Sequence, residues 1–249
     1  MDASELYDPE FRKLIKSKKP TIIIPVGSLE QHGAHLPITT DSDIVTEVAS
    51  RLAKKCGFIV LPTISYGVSY EHSPLTNVSI EGGDLETVLM NIIISLFEMS
   101  PGTRPSVPSK LFFIILNGHH GNVDALVDLE DNLMDKCFGE GFPHAPHGLT
   151  VYSYWHFMKH EFDHAGFVET SLMLAISDKV KMKKAKKGFI IENLNKLEQS
   201  AAKKLSTERG GFPKVAKNGV WGDPTKATKK DGEKFLAEIV RNLAKECQT

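Results

Sequence analysis

Thr21-Ile-Ile-Ile-Pro-Val26 is the stretch that decides the fold class. A nearly unbroken apolar run with no polar alternation reads as a strand buried on both faces. Such strands belong to parallel sheets with helices packed on each side. The chain then turns polar across Gly27–Pro37 and delivers Glu30, His32 and His35, with Asp41 close behind. In open α/β sheets, ligands gather where loops leave the carboxyl ends of the strands.

Outward from this strand, Asp41 or Ser42 stands where a helix N-cap is expected. Ile44, Val45, Val48, Ala49 and Leu52 follow at helical spacing through about Lys55. Gly57 ends that helix and Phe58–Leu61 returns as a second strand. A polar loop spans Tyr66–Pro74, and a long helix runs from Gly82 to about Met99. Pro101–Pro108 reads as a surface insertion. A strand at Leu111–Leu116 leads to His119, and a helix follows Asn122 to roughly Lys136. After a loop at Gly139–Gly148 come a strand at Thr150–Tyr154 and a helix at Glu169–Ile176. Two amphipathic helices, Ile191–Leu205 and Lys229–Lys245, finish the chain. The alternation predicts one α/β domain over residues 1–249, with a mainly parallel central sheet.

The 249 residues are enough to bury a large core without disulfides. Thirty basic against 31 acidic residues argue against nucleic acid as the main partner. The Lys179–Lys187 run reads as a solvated face. Cys56, Cys137 and Cys247 are widely spaced and form no CxxC pair, which fits a reducing compartment and argues against a thiolate zinc site. The opening Met-Asp-Ala-Ser-Glu-Leu-Tyr lacks the features of a secretory signal. No run approaches the ~20 apolar residues of a membrane span. A cytoplasmic protein with no membrane partner is expected.

Glu30, His32, Asp41 and His119 fall at one predicted sheet edge. Carboxylates and imidazoles without thiolates suit zinc, manganese or ferrous iron. With two oxygens, Asp41 can bridge two ions. Taken singly, each has a plainer reading: Asp41 as an N-cap, His119 as a hydrogen-bonding turn residue, and Asn117-Gly118 and Gly121-Asn122 as ordinary turns.

Four blocks carry a resemblance. Pro25-Val-Gly-Ser-Leu-Glu-Gln-His-Gly-Ala-His-Leu-Pro37 with Thr40-Asp41, Asn117-Gly-His-His-Gly-Asn122, His164-Ala-Gly-Phe-Val-Glu-Thr-Ser171, and Gly219-Val-Trp-Gly-Asp-Pro224 with Ala227-Thr228 resemble the creatininase (creatinine amidohydrolase) family, in order and over most of the chain. The resemblance implies a three-layer α/β/α fold, a homo-oligomer (usually a hexamer) and a centre of two divalent metal ions. By position, Glu30 and His119 would be terminal ligands of one ion, His32 of the other, and Asp41 the bridge. Creatininase has a glutamate two residues after the His119 position, completing the second ion's shell. Gly121 stands there in this chain, and Glu169 is the residue expected to compensate. His160 stands where creatininase has a tryptophan that closes the site, and Phe167 replaces a common acidic residue. His35 is expected to brace its loop.

The expected reaction is hydrolysis of an amide-type C–N bond, cyclic amide or formamide, in a small molecule. A water bridging two ions ~3.5–4 Å apart can have its pKa lowered from 15.7 to about 7, so hydroxide forms near neutral pH. The leaving nitrogen needs a proton, for which His164 is the first choice and Glu169 the second. Ser69, Glu71 and His72 lie on a loop placed to line the pocket, with Tyr70 as a stacking surface. His120, in the second block, and Trp221, in the fourth, are the other expected substrate contacts, with Asp223 closing the site beside Trp221. The alternative is a non-catalytic member of the family, kept as a binding or structural oligomer.

Overall fold

A computed structural model of the chain describes residues 1–16, 20–99, 111–129, 131–133, 148–161 and 163–247. Its elements in chain order are α1 (Asp8–Ile15), β1 (Thr21–Val26), α2 (Thr40–Cys56), β2 (Ile59–Val60), α3 (Gly82–Met99), β3 (Phe112–Asn117), α4 (Val123–Leu126), β4 (Leu149–Ser153), α5 (Phe167–Ile176), α6 (Lys196–Thr207), α7 (Phe212–Val215) and α8 (Lys229–Glu246). The four strands form one all-parallel sheet in the order β2-β1-β3-β4.

Strand side chains alternate between two cores, as the period of two requires. Ile23, Val60, Ile114 and Leu116 face one core, built with Ile44, Val48 and Leu52 of α2, Leu172 of α5 and Leu236, Ile239 and Leu243 of α8. Ile22, Ile24, Phe113 and Ile115 face the other, with Ile15 of α1, Leu85, Leu89 and Ile93 of α3 and Leu126 of α4. This is the three-layer α/β/α arrangement. Burying each of these large apolar side chains contributes roughly 1.5–3 kcal/mol.

Strand order matters to the site. The chain leaves β1 for β2 on one side and then crosses to β3 on the other, so the connections diverge between β1 and β3. A crevice opens at the carboxyl ends of strands where connections diverge in this way. Val26 and Asn117 are register partners at those ends, which sets the Glu30–His32 segment beside His119.

Several boundaries differ from the sequence reading. Thr39 precedes α2, and Asp41 lies within its first turn instead of capping it. The helix expected over Ile191–Leu205 is a short 3-10 turn at Ile191–Asn193 followed by α6, because Asn195 caps at Lys196 and pairs with Glu198 in a capping box. The helix after Asn122 is interrupted by a turn at 127–128 and resumes at 129 and 131–133. The Pro101–Pro108 insertion, Cys137 and most of the Gly139–Gly148 loop lie outside the described residues. Among those described, no helix is long and apolar enough to cross a membrane.

Candidate metal centre

Glu30, His32, Asp41, His119 and Glu169 are all buried, at 0–3 % exposure, at the carboxyl edge of β1 and β3. Backbone bonds from Glu30 N to Ile38 O (3.0 Å) and from Gln31 N to Thr76 O (2.7 Å) pin the segment after β1. Asp41 sits in the first turn of α2, where the helix dipole favours a carboxylate. Glu169 sits in the first turn of α5, and its Oε2 accepts from Ala165 N at 2.6 Å. Ala165 itself has φ 52°, a left-handed conformation that is costly away from glycine and concentrates at functional sites.

Two ligand triads share Asp41. Glu30, Asp41 and His119 present atoms within 4.8 Å of one another, and so do His32, Asp41 and Glu169. Asp41 Oδ1 is 3.1 Å from His32 Nε2, and its Oδ2 is 2.9 Å from His119 Nδ1. Backbone carbonyls identify which nitrogen of each ring is free. His119 Nε2 lies 2.8 Å from Val68 O, and His32 Nδ1 lies 3.3 Å from Glu30 O. A carbonyl can only accept, so these nitrogens hold the protons. The other nitrogens, His119 Nδ1 and His32 Nε2, both face Asp41, as metal-ligating nitrogens do. In metal-free protein burial pulls both rings down, but the carboxylates around them outweigh it and hold both imidazoles charged, well above their usual range.

The donor set passes a second test. Glu30 Oε1, Asp41 Oδ2 and Glu169 Oε1 are buried without a hydrogen bond. Imidazole nitrogens sit 3.1 and 2.9 Å from the first two, out of hydrogen-bond alignment. Buried carboxylate oxygens left this way are costly unless a cation satisfies them. Burial pushes the Asp41 carboxyl up, but His32 and His119 pull it further the other way, well below its usual range. Burial likewise raises Glu30, and the effect of His119 leads those that outweigh it. Burial dominates at Glu169, whose carboxyl is raised.

His72 and His164 complete the cluster. His72 Nε2 is 3.1 Å from Glu30 Oε1 and 3.7 Å from Glu71 Oε1. His164 Nε2 lies 3.0 Å from Gln31 O, which leaves its Nδ1 bare, 3.8 Å from Glu30 Oε1. Burial, reinforced by the charge of His32, holds His164 well below the ordinary imidazole value.

The other expected contacts divide. Ser69 is buried, with an Oγ that has no partner among the described residues. Trp221 exchanges backbone hydrogen bonds with His164 (3.1 and 2.8 Å), and its ring packs on Phe189, so it holds the His164 segment in place. His120 is exposed and stacks beside Trp155, 6.0 Å between ring centroids. Tyr70 is not an open stacking surface, because the Arg209 guanidinium covers its ring at 4.6 Å. Asp223 spends its carboxylate capping Thr225 N. His160 is exposed against Phe235 and Phe167, on the α5–α8 side.

Glu71, expected on a loop lining the pocket, reaches the centre itself, with Oε1 3.4 Å from His119 Nε2. A side chain at Gly121 would collide with Val68 O, His119 Nε2 and Glu71 Oε1. Position 121 thus lies against the Glu30–His119 triad, and a carboxylate from a different loop already reaches its neighbourhood. Gly121→Ala is expected to destabilise the protein by about 1–3 kcal/mol through this overlap. Unchanged denaturant unfolding in that variant would refute the crowding.

Three supporting residues carried no strong signal. Asn122 ties Gly27 O (3.1 Å) to Val68 N (2.9 Å), and Asn117 Oδ1 receives His119 N (3.0 Å). These are braces, not ordinary turn residues. Asp163 accepts from the Val168 and Glu169 amides, and burial and Glu169 raise it to about 7.

His35 braces its loop, with Nε2 2.9 Å from Thr170 Oγ1. Burial, then the charge of His32, pulls it down to about 4. The unfolded chain therefore binds a proton below about 6.5 that the folded chain refuses. This contribution to stability is complete above that pH and is lost as pH falls toward 4. Metal-free protein should melt at progressively lower temperature across this window, and His35→Gln should flatten the decline. Equal slopes in the two proteins would exclude His35 as the cause.

A parallel sheet with a buried carboxylate–imidazole cluster at its switch point defines the class: a three-layer α/β/α protein with a candidate metal centre. The chain matches the family model described as Creatininase: Creatinine amidohydrolase over residues 4–247. It belongs to the creatininase family. It is 32% identical over 238 residues to the mycofactocin precursor peptide peptidase of Mycolicibacterium smegmatis, covering 92% of this chain and 85% of that one. Two solved creatininases share the fold: a variant of Zn-Zn type and a creatininase described with Mn, each with TM-score 0.76, 23% identity and coverage of 98% of this chain and 96% of theirs.

Proposed function

We propose that this chain is a metal-dependent amidohydrolase that opens an amide-type C–N bond, cyclic amide or formamide, in a small molecule. The observation that carries the reading is the pair of buried triads sharing Asp41, with three carboxylate oxygens lacking hydrogen bonds. Glu30, Asp41 and His119 would hold one divalent ion, and His32, Asp41 and Glu169 the other. Zinc and manganese fit this donor chemistry, and solved relatives described with those metals support the choice. Bound there, such ions supply Lewis acidity, polarising a carbonyl and acidifying water.

The chain's own residues supply the rest. Asp41 fixes the spacing of the two triads, and the backbone carbonyls of Glu30 and Val68 aim the imidazoles of His32 and His119. The bare Nδ1 of His164 would take a proton from the attacking water and return it to the leaving nitrogen, as a neutral imidazole can. Glu169 is held by the Ala165 amide and by its place beside His32, which suits a ligand better than a proton carrier. Glu71, beside position 121, weakens the case for a non-catalytic member that Gly121 alone would make.

A short peptide end is the second substrate reading, favoured by the identity to the precursor-peptide peptidase. The test is a screen of zinc- and manganese-loaded protein against creatinine, lactams and cyclic imides, N-formyl amines and short peptides. Release of amine from cyclic amides or formamides supports the first reading, and release from peptides alone supports the second. No turnover by protein that takes up no metal would overturn both.

A further inference from the structure

Gln31 lies between two imidazoles of the centre and is only 8 % exposed. Its amide orientation is set by its partners. Gly33 N donates to Gln31 Oε1 at 3.0 Å, so the oxygen is on that side and the NH2 on the other. That Nε2 is 3.0 Å from His72 Nδ1 and 3.0 Å from His164 Nε2. The two contacts are not equivalent. His164 Nε2 also lies 3.0 Å from the Gln31 carbonyl, which cannot donate, so this nitrogen already holds a proton. The amide N–H is left for His72, whose Nδ1 must then present a lone pair.

A neutral imidazole that accepts at Nδ1 carries its proton on Nε2. In His72 that nitrogen faces Glu30 Oε1 at 3.1 Å. His32 is arranged the other way: its Nδ1 proton points to the Glu30 carbonyl, and its Nε2 turns toward Asp41 and Glu169. We propose that Gln31 is a positioning residue that sets the His72 tautomer, so that His72 turns an N–H, not a lone pair, toward Glu30 and is kept out of the metal shell. Glu30, Glu71 and His72 otherwise meet the distance requirement for a ligand triad, and this tautomer excludes it.

The C-terminal block enforces the arrangement. Gly219 has φ 73° and lies so close to Gln31 that a Cβ there would overlap the amide oxygen. The missing Cβ at position 219 is what leaves room for the Gln31 oxygen beside the Gly33 amide. A flipped amide would set its NH2 against the Gly33 N–H, so the oxygen stays on that side and the NH2 on the side of His72.

The inference rests on the two-ion reading only for its effect on metal binding, and the tautomer can be read with or without metal. Protein labelled with 15N-histidine is compared by long-range proton–nitrogen correlation as metal-free and as zinc-loaded samples. The His72 signals are assigned by their loss in His72→Asn. The expected pattern is a bare Nδ1 and a protonated Nε2 in both samples. In Gln31→Glu a carboxylate replaces the donor, and the proton should move to Nδ1. In Gln31→Leu the preference should disappear and zinc binding should weaken about 10–100-fold, as for other partners outside the ligand shell. A zinc-shifted Nε2 of His72 in the wild type would overturn the proposal, and so would an unchanged His72 pattern in Gln31→Glu. If neither Gln31 variant folds, the wild-type spectra alone decide. Protein that takes up no zinc defeats the two-ion reading, while its metal-free spectra still test the tautomer.

Discussion

Asp41→Ala should strip both ions from the centre at once. Its Oδ1 faces His32 and its Oδ2 faces His119, 3.1 and 2.9 Å away, so it is the only residue common to the two triads. Removing it leaves each site with one carboxylate and one imidazole, fewer than the three protein ligands usual for a catalytic divalent ion. Binding at both sites should weaken by more than the roughly 10–100-fold typical of an outer partner. Metal per chain, measured on protein purified without chelator, should drop from about two ions toward none. Turnover should go with it, and the far-ultraviolet circular dichroism should remain. Glu169→Gln is the contrast, because Glu169 belongs to one triad only. One ion should remain in that variant. Loss of a single ion in Asp41→Ala, or hydrolysis surviving there, would refute the bridging role.

His164→Asn is expected to lower turnover about 10²–10⁴-fold, the usual contribution of a positioned proton carrier, without emptying the metal centre. Its Nδ1 is 3.8 Å from Glu30 Oε1, farther than the imidazoles of the two triads are from Asp41. Its side chain keeps 12 % exposure where His32 has none, so it can meet a substrate atom. Metal analysis and turnover on the same preparation separate the possibilities. Retained metal with lost turnover identifies the proton carrier. Metal lost together with turnover would make His164 a ligand, since Glu30, His32 and His164 also meet within ligand distance.

Much of this architecture was legible in the chain. The Ile22–Ile24 run could only be a two-sided strand, and the helical spacing of Ile44, Val48 and Leu52 is the face that packs on it. These readings depend on the repeat of apolar residues within one element, and the core follows from that repeat. The carboxylate and imidazole types and their place after strands could also be read, because the loops leaving neighbouring parallel strands open at the same edge. The Ile191–Leu205 reading failed for a local reason: Asn195 and Glu198 form a cap that outweighs continued apolar periodicity.

Tertiary structure decided what no local pattern encodes. Gln31 meets His72 across 41 positions and His164 across 133, so its role could not be inferred from its neighbours. Glu71 reaches the surroundings of Gly121 because the loop after β2 is tied to the segment after β3, through Val68 O to His119 and Val68 N to Asn122. Asn117 and Asn122 look like turn residues until burial makes each of their polar atoms require a partner. The sequence determined the class of fold and the kinds of atom available to a metal, since both reside in short-range spacing. The packed loops decided which nitrogen of each imidazole faces the carboxylates, because a ring's proton goes to whichever distant carbonyl or amide lies against it.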